Sequence, residues 1–374
     1  MRSELSRGDI RLLGASVVLT LASATTRYSH VGRVLPFVVS AVALGVLAAL
    51  VGRSVDRLGD RLGSGATGVV QSALGNLPEL FFGIFALHAG LVGVVQAALI
   101  GSILANVLLV LGLAFIVGGL RHGTQRFSAD SARVVVVLLV LAVSVLMIPT
   151  LGVHLDPAVR AHKTSLSDIA AVVLLAVFVL AAPRSVRREL GEETTSGLSG
   201  QVSGELSDRP ETVAGTDRAP SSWSVPLVIA VLLASGVAAA FVSDWFVAGL
   251  SPALSAMHMS EAFAGLVVVA IAGNAVENVV GVQLAFRNRS DYAVSIILQS
   301  PVQIALVLIP ALVLLSPVIG GAQLTLVLSP FLAVVLALTT LIAAVVVLDG
   351  ESTWLEGACL IGLYVVIAAS FWWG

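Results

Sequence analysis

The sequence predicts an all-α integral membrane protein of about eleven transmembrane helices, one extra amino-terminal helix followed by two inverted five-helix repeats. Three observations carry that expectation. The 374 residues are 57% hydrophobic and 11% charged, with a mean hydropathy of +1.03, too few polar residues to cover a water-soluble globule of this size. Apolar runs such as "VVVVLLVLAVSVLMI" and "LTLVLSPFLAVVLALTTLIAAVVVL" are long enough to cross a hydrocarbon core as helices, which satisfy their own backbone hydrogen bonds, and β-barrel alternation is absent. A stretch around Asn76 and Glu79 also returns 198 residues later.

Taken in order, the apolar runs centre near Val18, Ala43, Glu79, Asn106, Val140, Leu174, Val231, Glu277, Ala305, Leu336 and Val365. The first, "LLGASVVLTLASA", resembles a signal-peptide core with a small-residue cleavage site, but a retained helix fits the charge pattern better. Basic residues concentrate in cytoplasmic loops. Alternate loops from the amino terminus hold Arg2, Arg7, Arg11; Arg53, Arg57, Arg61; Arg121, Arg126, Arg133; Arg184, Arg187, Arg188, Arg209, Arg218; and Arg287, Arg289. The other loops hold only Arg27, Arg33, Arg160 and Lys163. The amino terminus is therefore expected in the cytoplasm and the carboxyl terminus outside, in what reads as a prokaryotic plasma membrane.

The chain divides into an extra helix over 1–30, a first half over 31–183, a polar linker over 184–222 and a second half over 223–374. The linker is rich in Gly, Ser, Thr and acids and too poor in large apolar residues to fold alone, so it reads as a disordered cytoplasmic tether. A net charge of −2 excludes a strongly basic nucleic-acid binder, and Cys359, the one cysteine, can form no internal disulfide. The six histidines, His88 among them, read as interfacial or loop residues.

Laid beneath "ALGNLPELFFGIFALHAGLVGVVQAALIGSILANVLLVLG", the later stretch "IAGNAVENVVGVQLAFRNRSDYAVSIILQSPVQIALVLIP" shares its frame without a gap. Gly75 matches Gly273, Asn76 matches Asn274, Glu79 matches Glu277 and Ser102 matches Ser300. Glu79 is on the third helix and Glu277 on the eighth. The five-helix separation is odd, so the copies cross in opposite senses, the architecture of secondary transporters whose ion sites lie where the halves meet.

An intramembrane carboxylate costs several kcal/mol unless it is neutralised, paired or facing water. Burial favours the protonated acid, whereas a divalent cation between two carboxylates favours the ionised form. A site that holds either protons or a cation couples their movements, the minimal chemistry of an antiporter. Calcium takes six to eight oxygen ligands, more than Glu79 and Glu277 supply. Asn76 and Asn274, one turn earlier, offer further oxygens. So do backbone carbonyls freed by Gly75, Gly273 and Pro78, of which Pro78 is expected to unwind or kink its turn. On the following helices Ser102 and Asn106 share a face at a spacing of four, and Ser300 and Gln303 at a spacing of three, with Gln299 at a different angle. Interhelical hydrogen bonding is the bland reading of these polar groups, and close packing that of the glycines, Gly101 included.

At these residues the sequence resembles the calcium/cation antiporter superfamily and, within it, the calcium/proton exchanger family. The family's repeats look like "GNxxELI…AL…VVxxSxxGSxxSNxLLVLG" and "GNAxEHxxAVxxAxKNKxDxAxxIxxGSxxQIALxVxP", and both are matched closely. The resemblance implies that Glu79 and Glu277 carry calcium and protons alternately beside Asn76 and Asn274, with Ser102, Asn106, Ser300 and Gln303 in support. It also implies calcium ions, protons and the bilayer as partners, with no cofactor. Departures are Asn278 where the family usually has His, Pro78 where a small residue is common, Gln299 and Pro301 flanking Ser300, and Arg287 and Arg289 for lysines.

The leading expectation is export of calcium in exchange for protons. The same architecture also serves exchange of sodium, potassium, manganese or magnesium, since selectivity rests on site size and ligand number. A membrane-embedded enzyme with Glu79 as base lacks any Ser/His/Asp arrangement or HExxH pattern, and a single-site enzyme has no use for a duplicated glutamate. A channel or sensor predicts uncoupled flux or binding alone.

Overall fold

The protein's structure, a computed structural model, describes residues 6–29, 31–62, 76–181 and 223–372. Gly75 and the linker expected over 184–222 lie outside the described residues, and so does the side chain of Glu277.

The chain is helical almost throughout. Helix α1 (Arg7–Tyr28) opens on a capping box: Ser6 Oγ accepts from Asp9 N (3.1 Å) while Ser6 N donates to Asp9 Oδ2 (3.0 Å). Then follow α2 (Leu35–Leu62), α3 (Leu77–His88), α4 (Val92–His122), α5 (Ala129–Leu155) and α6 (Lys163–Ala181). The second half holds α7 (Val225–Met257), α8 (Glu261–Gly273), α9 (Ala275–Phe286), α10 (Ser290–Ile319), α11 (Pro330–Val347) and α12 (Trp354–Trp372). Serines 128, 260 and 329 cap α5, α8 and α11, each accepting a backbone N–H with its hydroxyl.

Among the described residues nine helices are long and apolar enough to span a membrane. Helices α8 and α9 form one more span bent by 60°, and α3 is a shorter apolar helix. Each expected helix centre falls inside one of these elements. Among the described residues the strands amount to a two-residue ribbon, in which β1 (Gln125–Arg126) pairs antiparallel with β2 (Glu351–Ser352).

Large apolar side chains such as Leu141, Leu180, Val334 and Val365 stand exposed on the outer faces of their helices, where a bilayer rather than water suits them. The inner faces form one core. Helices α2 and α7 pack along each other, and Phe246 of α7 joins them to α3 by stacking on Phe37 (centroids 4.9 Å apart) and meeting Phe82 edge-on (5.8 Å). At one end, buried Asp9 ties α1 to α2 through Arg53 Nε (3.1 Å) and to the start of α7 through Trp223 Nε1, which donates to Asp9 Oδ2 (3.2 Å).

Between α10 and α11 the chain runs non-helically over residues 320–329, with Leu324, Leu326 and Leu328 buried. Gly320 and Gly321, at φ +77° and +96°, turn the chain into this segment. Gly321 lies against the backbone of His88, and Ala322 N donates to Leu87 O (3.0 Å), so the segment caps the end of α3.

Candidate functional site

In both copies the helix that carries the glutamate starts from the same asparagine in the same conformation. Asn76 has φ −98° and ψ 23°, and Asn274 has φ −89° and ψ 22°. The helix restarts identically after each: Leu80 N donates to Asn76 O (2.9 Å), and its counterpart Asn278 N to Asn274 O (3.0 Å). The Asn274 side chain reaches back, with Nδ2 donating to Ala270 O (2.8 Å), which also accepts Asn274 N (3.1 Å).

Pro78 is not inside a helical turn that it would unwind or kink, as the sequence expectation had it. It occupies the first turn of α3, where its missing N–H has no intrahelical partner to lose, and the second copy bends with Val276 in its place. Glu79 is likewise not mid-helix: it sits in the first turn of α3, so the positive end of the helix dipole faces a buried carboxylate.

The Glu79 carboxylate lies against the break of the other copy. A Cβ added to Gly273 would come within 2.7 Å of Glu79 Oε1 and 3.0 Å of its Cγ, so only glycine leaves the carboxylate where it is. Gly101 has a different role: any side chain there would run into the backbone of Leu266, and one on Gly265 would meet Val94 O, so these glycines let α4 and α8 cross in contact.

Beside the carboxylate lies a polar network drawn from both halves. Asn106 Nδ2 donates to Asn274 Oδ1 (2.8 Å) and to Ser102 O (2.9 Å), and it lies 3.4 Å from Ser300 Oγ. Ser300 Oγ donates to the same Asn274 Oδ1 at 3.4 Å. Asn76, Ser102, Asn106, Asn274 and Ser300 are all buried. Ser102 and Glu79 also line a cavity of about 10 Å³ with Phe82, Gly83, Val95, Ala98, Leu99 and Val269, roughly the space of one water.

Several polar atoms here are buried without a hydrogen-bond partner: Asn106 Oδ1, Asn278 Oδ1 and Asn76 Nδ2. An orphaned buried carbonyl oxygen is costly, and a cation is one group that offsets that cost. Among the described residues no three His, Cys, Asp or Glu side chains cluster, so amide, hydroxyl and backbone oxygens must supplement the carboxylates.

Most sequence-predicted residues therefore meet, and some do not. Asn76, Glu79, Ser102, Asn106, Gly273, Asn274 and Ser300 converge from α3, α4, α8, α9 and α10. Gln299 and Gln303 are half-buried on α10 and join none of these hydrogen bonds. Gln303 matches Ala105, and the position matching Asn106 is Ile304, so the supporting amide exists in one copy only. Sequence reading missed Asn278 as an oxygen donor, although it adjoins Glu277. It also missed wide helical turns at Ala105–Val110, Ala264–Val269 and Ile304–Leu308, which flank the site; nothing in all-round apolar runs marks such turns.

Known proteins resemble this chain over most of its length. The family model described as sodium/calcium exchanger protein matches residues 33–183 and 227–373. A Ca2+/H+ antiporter of Bacillus subtilis is 33% identical over 339 residues, covering 90% of this chain and 91% of its own. A Ca2+/H+ antiporter of Aphanothece halophytica is 31% identical over 348 residues, covering 91% of each. The solved structure of native YfkE superposes with a TM-score of 0.77 at 29% identity, covering 97% of this chain and 99% of that one.

Proposed function

This chain belongs to the sodium/calcium exchanger protein family, and on that premise we propose that it is a secondary active antiporter exchanging calcium for protons across a membrane by alternating access. The observation that carries the reading is the seating of Glu79 against Gly273, which brings the carboxylate of one repeat onto the helix break of the other. A single site built from both copies serves either side of the membrane when one helix group moves against the other.

In this mechanism Glu79 and Glu277 hold calcium when ionised and protons when neutral. Asn76 and Asn274 sit at the breaks, and Asn106, Ser102 and Ser300 fix the Asn274 amide. The helix start beneath Glu79 favours its ionised form, and the orphaned oxygens of Asn106 and Asn278 offer ligands to a bound cation. Protonation of the carboxylates removes the charge that holds the ion, so loading of protons from one side releases calcium there. The amino terminus is placed in the cytoplasm by the arginine bias, in a prokaryotic plasma membrane, with net export of calcium.

The test is calcium uptake into proteoliposomes on imposing an acid-inside proton gradient, for the parent, Glu79→Gln and Glu277→Gln. Uptake that follows the gradient and is abolished by either substitution in folded protein is the expected result. Uptake of sodium or manganese in place of calcium would retain the architecture and change the cargo. Silence of both substitutions would overturn the assigned roles.

A further inference from the structure

Residues 320–329 form a non-helical strap, buried at Leu324, Leu326 and Leu328, whose two edges are held by side chains. On one edge, Leu324 N donates to Ser316 Oγ (3.1 Å), Leu326 N to Ser167 Oγ (3.0 Å) and Leu328 N to Thr150 Oγ1 (3.0 Å), while Thr150 Oγ1 donates to Leu326 O (2.9 Å). On the other edge, Gln96 Nε2 donates to Thr325 O (2.9 Å) and Val327 O (3.0 Å). The alternation is that of a strand without a sheet. Irregular backbone inside a membrane protein persists only where it is buried in protein or lines a water-filled path.

Beneath the strap is a cavity of about 20 Å³ lined by Gln96, Leu99, Ile100, Leu324 and Leu326 among others. Leu99 also lines the cavity that holds Glu79 and Ser102. Gln96, Leu99 and Ser102 recur every three residues on α4, one face of a helix, and six residues span about 9 Å. Buried Leu99 thus borders both small cavities, with Gln96 lining the one and Ser102 the other.

We infer that this face lines the ion's route between the Glu79 site and the strap side of the membrane, with Leu99 the gate residue and Gln96 the positioning residue that holds the strap shut over it. The inference rests on the antiporter reading and adds the path by which one side is closed. Rotation of Leu99 joins the cavities. Release of the Gln96 amide frees the carbonyls of Thr325 and Val327, the oxygens a desolvating cation meets next. The feature belongs to one half only: the positions matching Gln96 and Leu99 are Val294 and Ile297, and the loop matching the strap is the short turn around Gln125.

The test uses the full chain with Cys359→Ser, leaving Ala98→Cys in the site cavity as the only thiol, reconstituted in vesicles of known orientation. A charged, membrane-impermeant thiol reagent is added from the strap side or from the opposite side. Leu99→Ala and Gln96→Leu should each raise the labelling rate severalfold from the strap side and leave the opposite side unchanged. Leu99→Phe should lower strap-side labelling and slow turnover while calcium still binds from the other side. Unchanged strap-side rates in folded Leu99→Ala and Gln96→Leu would overturn the route, and equal acceleration from both sides would reduce it to general loosening. The labelling contrast stands apart from transport, so failure of calcium/proton exchange in the parent would sink the antiporter reading alone.

Discussion

The two repeats agree in backbone and differ in side chains. Helix α3 begins and ends 198 residues before α9, the wide turns at Ala105–Val110 and Ile304–Leu308 correspond within a residue, and Asn76 and Asn274 have nearly the same angles. Yet the position matching Asn106 in the second copy carries no amide, since Ile304 stands there, and Gln96 is matched by Val294. The loop after α4 is pinned by a two-residue ribbon with Gln125 and Ser352 buried, whereas the loop after α10 is the strap. Duplication accounts for the shared asparagine conformation, and the copies differ in which of them supplies the hydrogen bonds. The Asn106 amide of one half holding the Asn274 oxygen of the other is that division in a single contact.

The sharpest way to break the comparison is at the paired glycines. Gly273→Ala places a methyl within 2.7 Å of Glu79 Oε1, so the carboxylate must leave its seat. Proton-driven calcium uptake should fall close to the level of Glu79→Gln, with the protein still folded by thermal melting. Gly75→Ala is the matching change. Equal loss of uptake would make the seats symmetric, and a mild Gly75→Ala would mean that only one carboxylate rests on the opposite break.

The next effect separates the halves deliberately. Asn106→Leu removes the donor to Asn274 Oδ1 and leaves it with Ser300 at 3.4 Å. An interhelical hydrogen bond of this kind is worth about 1 kcal/mol in a membrane protein, so the melting temperature should drop modestly. Calcium affinity should weaken severalfold, because the amide also carries the orphaned Oδ1. Gln303→Ala, at the residue expected from sequence to support the second copy beside Ser300, should change neither. Equal effects would restore a symmetric site and show that Gln303 enters it in another state of the cycle.

How much was legible follows from the physics of each feature. Helix positions were readable because twenty apolar residues in a row leave the backbone no alternative to a helix in lipid. Glu79, Asn76 and Asn274 were readable because polar groups in such runs stand out and recur at one offset. Gln303 was misjudged, since spacing along one helix does not reveal which face meets the opposite half. The wide turns and the strap were hidden for the reverse reason: Leu324, Leu326 and Leu328 look like any apolar run, and their backbone partners Gln96, Thr150, Ser167 and Ser316 are scattered through the chain. Only tertiary structure brings such partners together.

The smallest expected effect concerns Pro78, where sequence reasoning assigned a cause that the second copy removes. A proline in the first helical turn forfeits no hydrogen bond, and α9 restarts after Asn274 with Val276 at that place. Pro78→Val should therefore leave uptake at the parent level and shift stability by no more than about 0.5 kcal/mol. The reciprocal Val276→Pro should be equally quiet, since that position too lies within the orphaned N–H groups of a helix start. If Pro78→Val abolished uptake while Val276→Pro did not, the first break would depend on proline and the second on its Gly273–Asn274 pair. The two copies would then reach the same backbone angles by different means, and the breaks would have to be counted among the features that diverged.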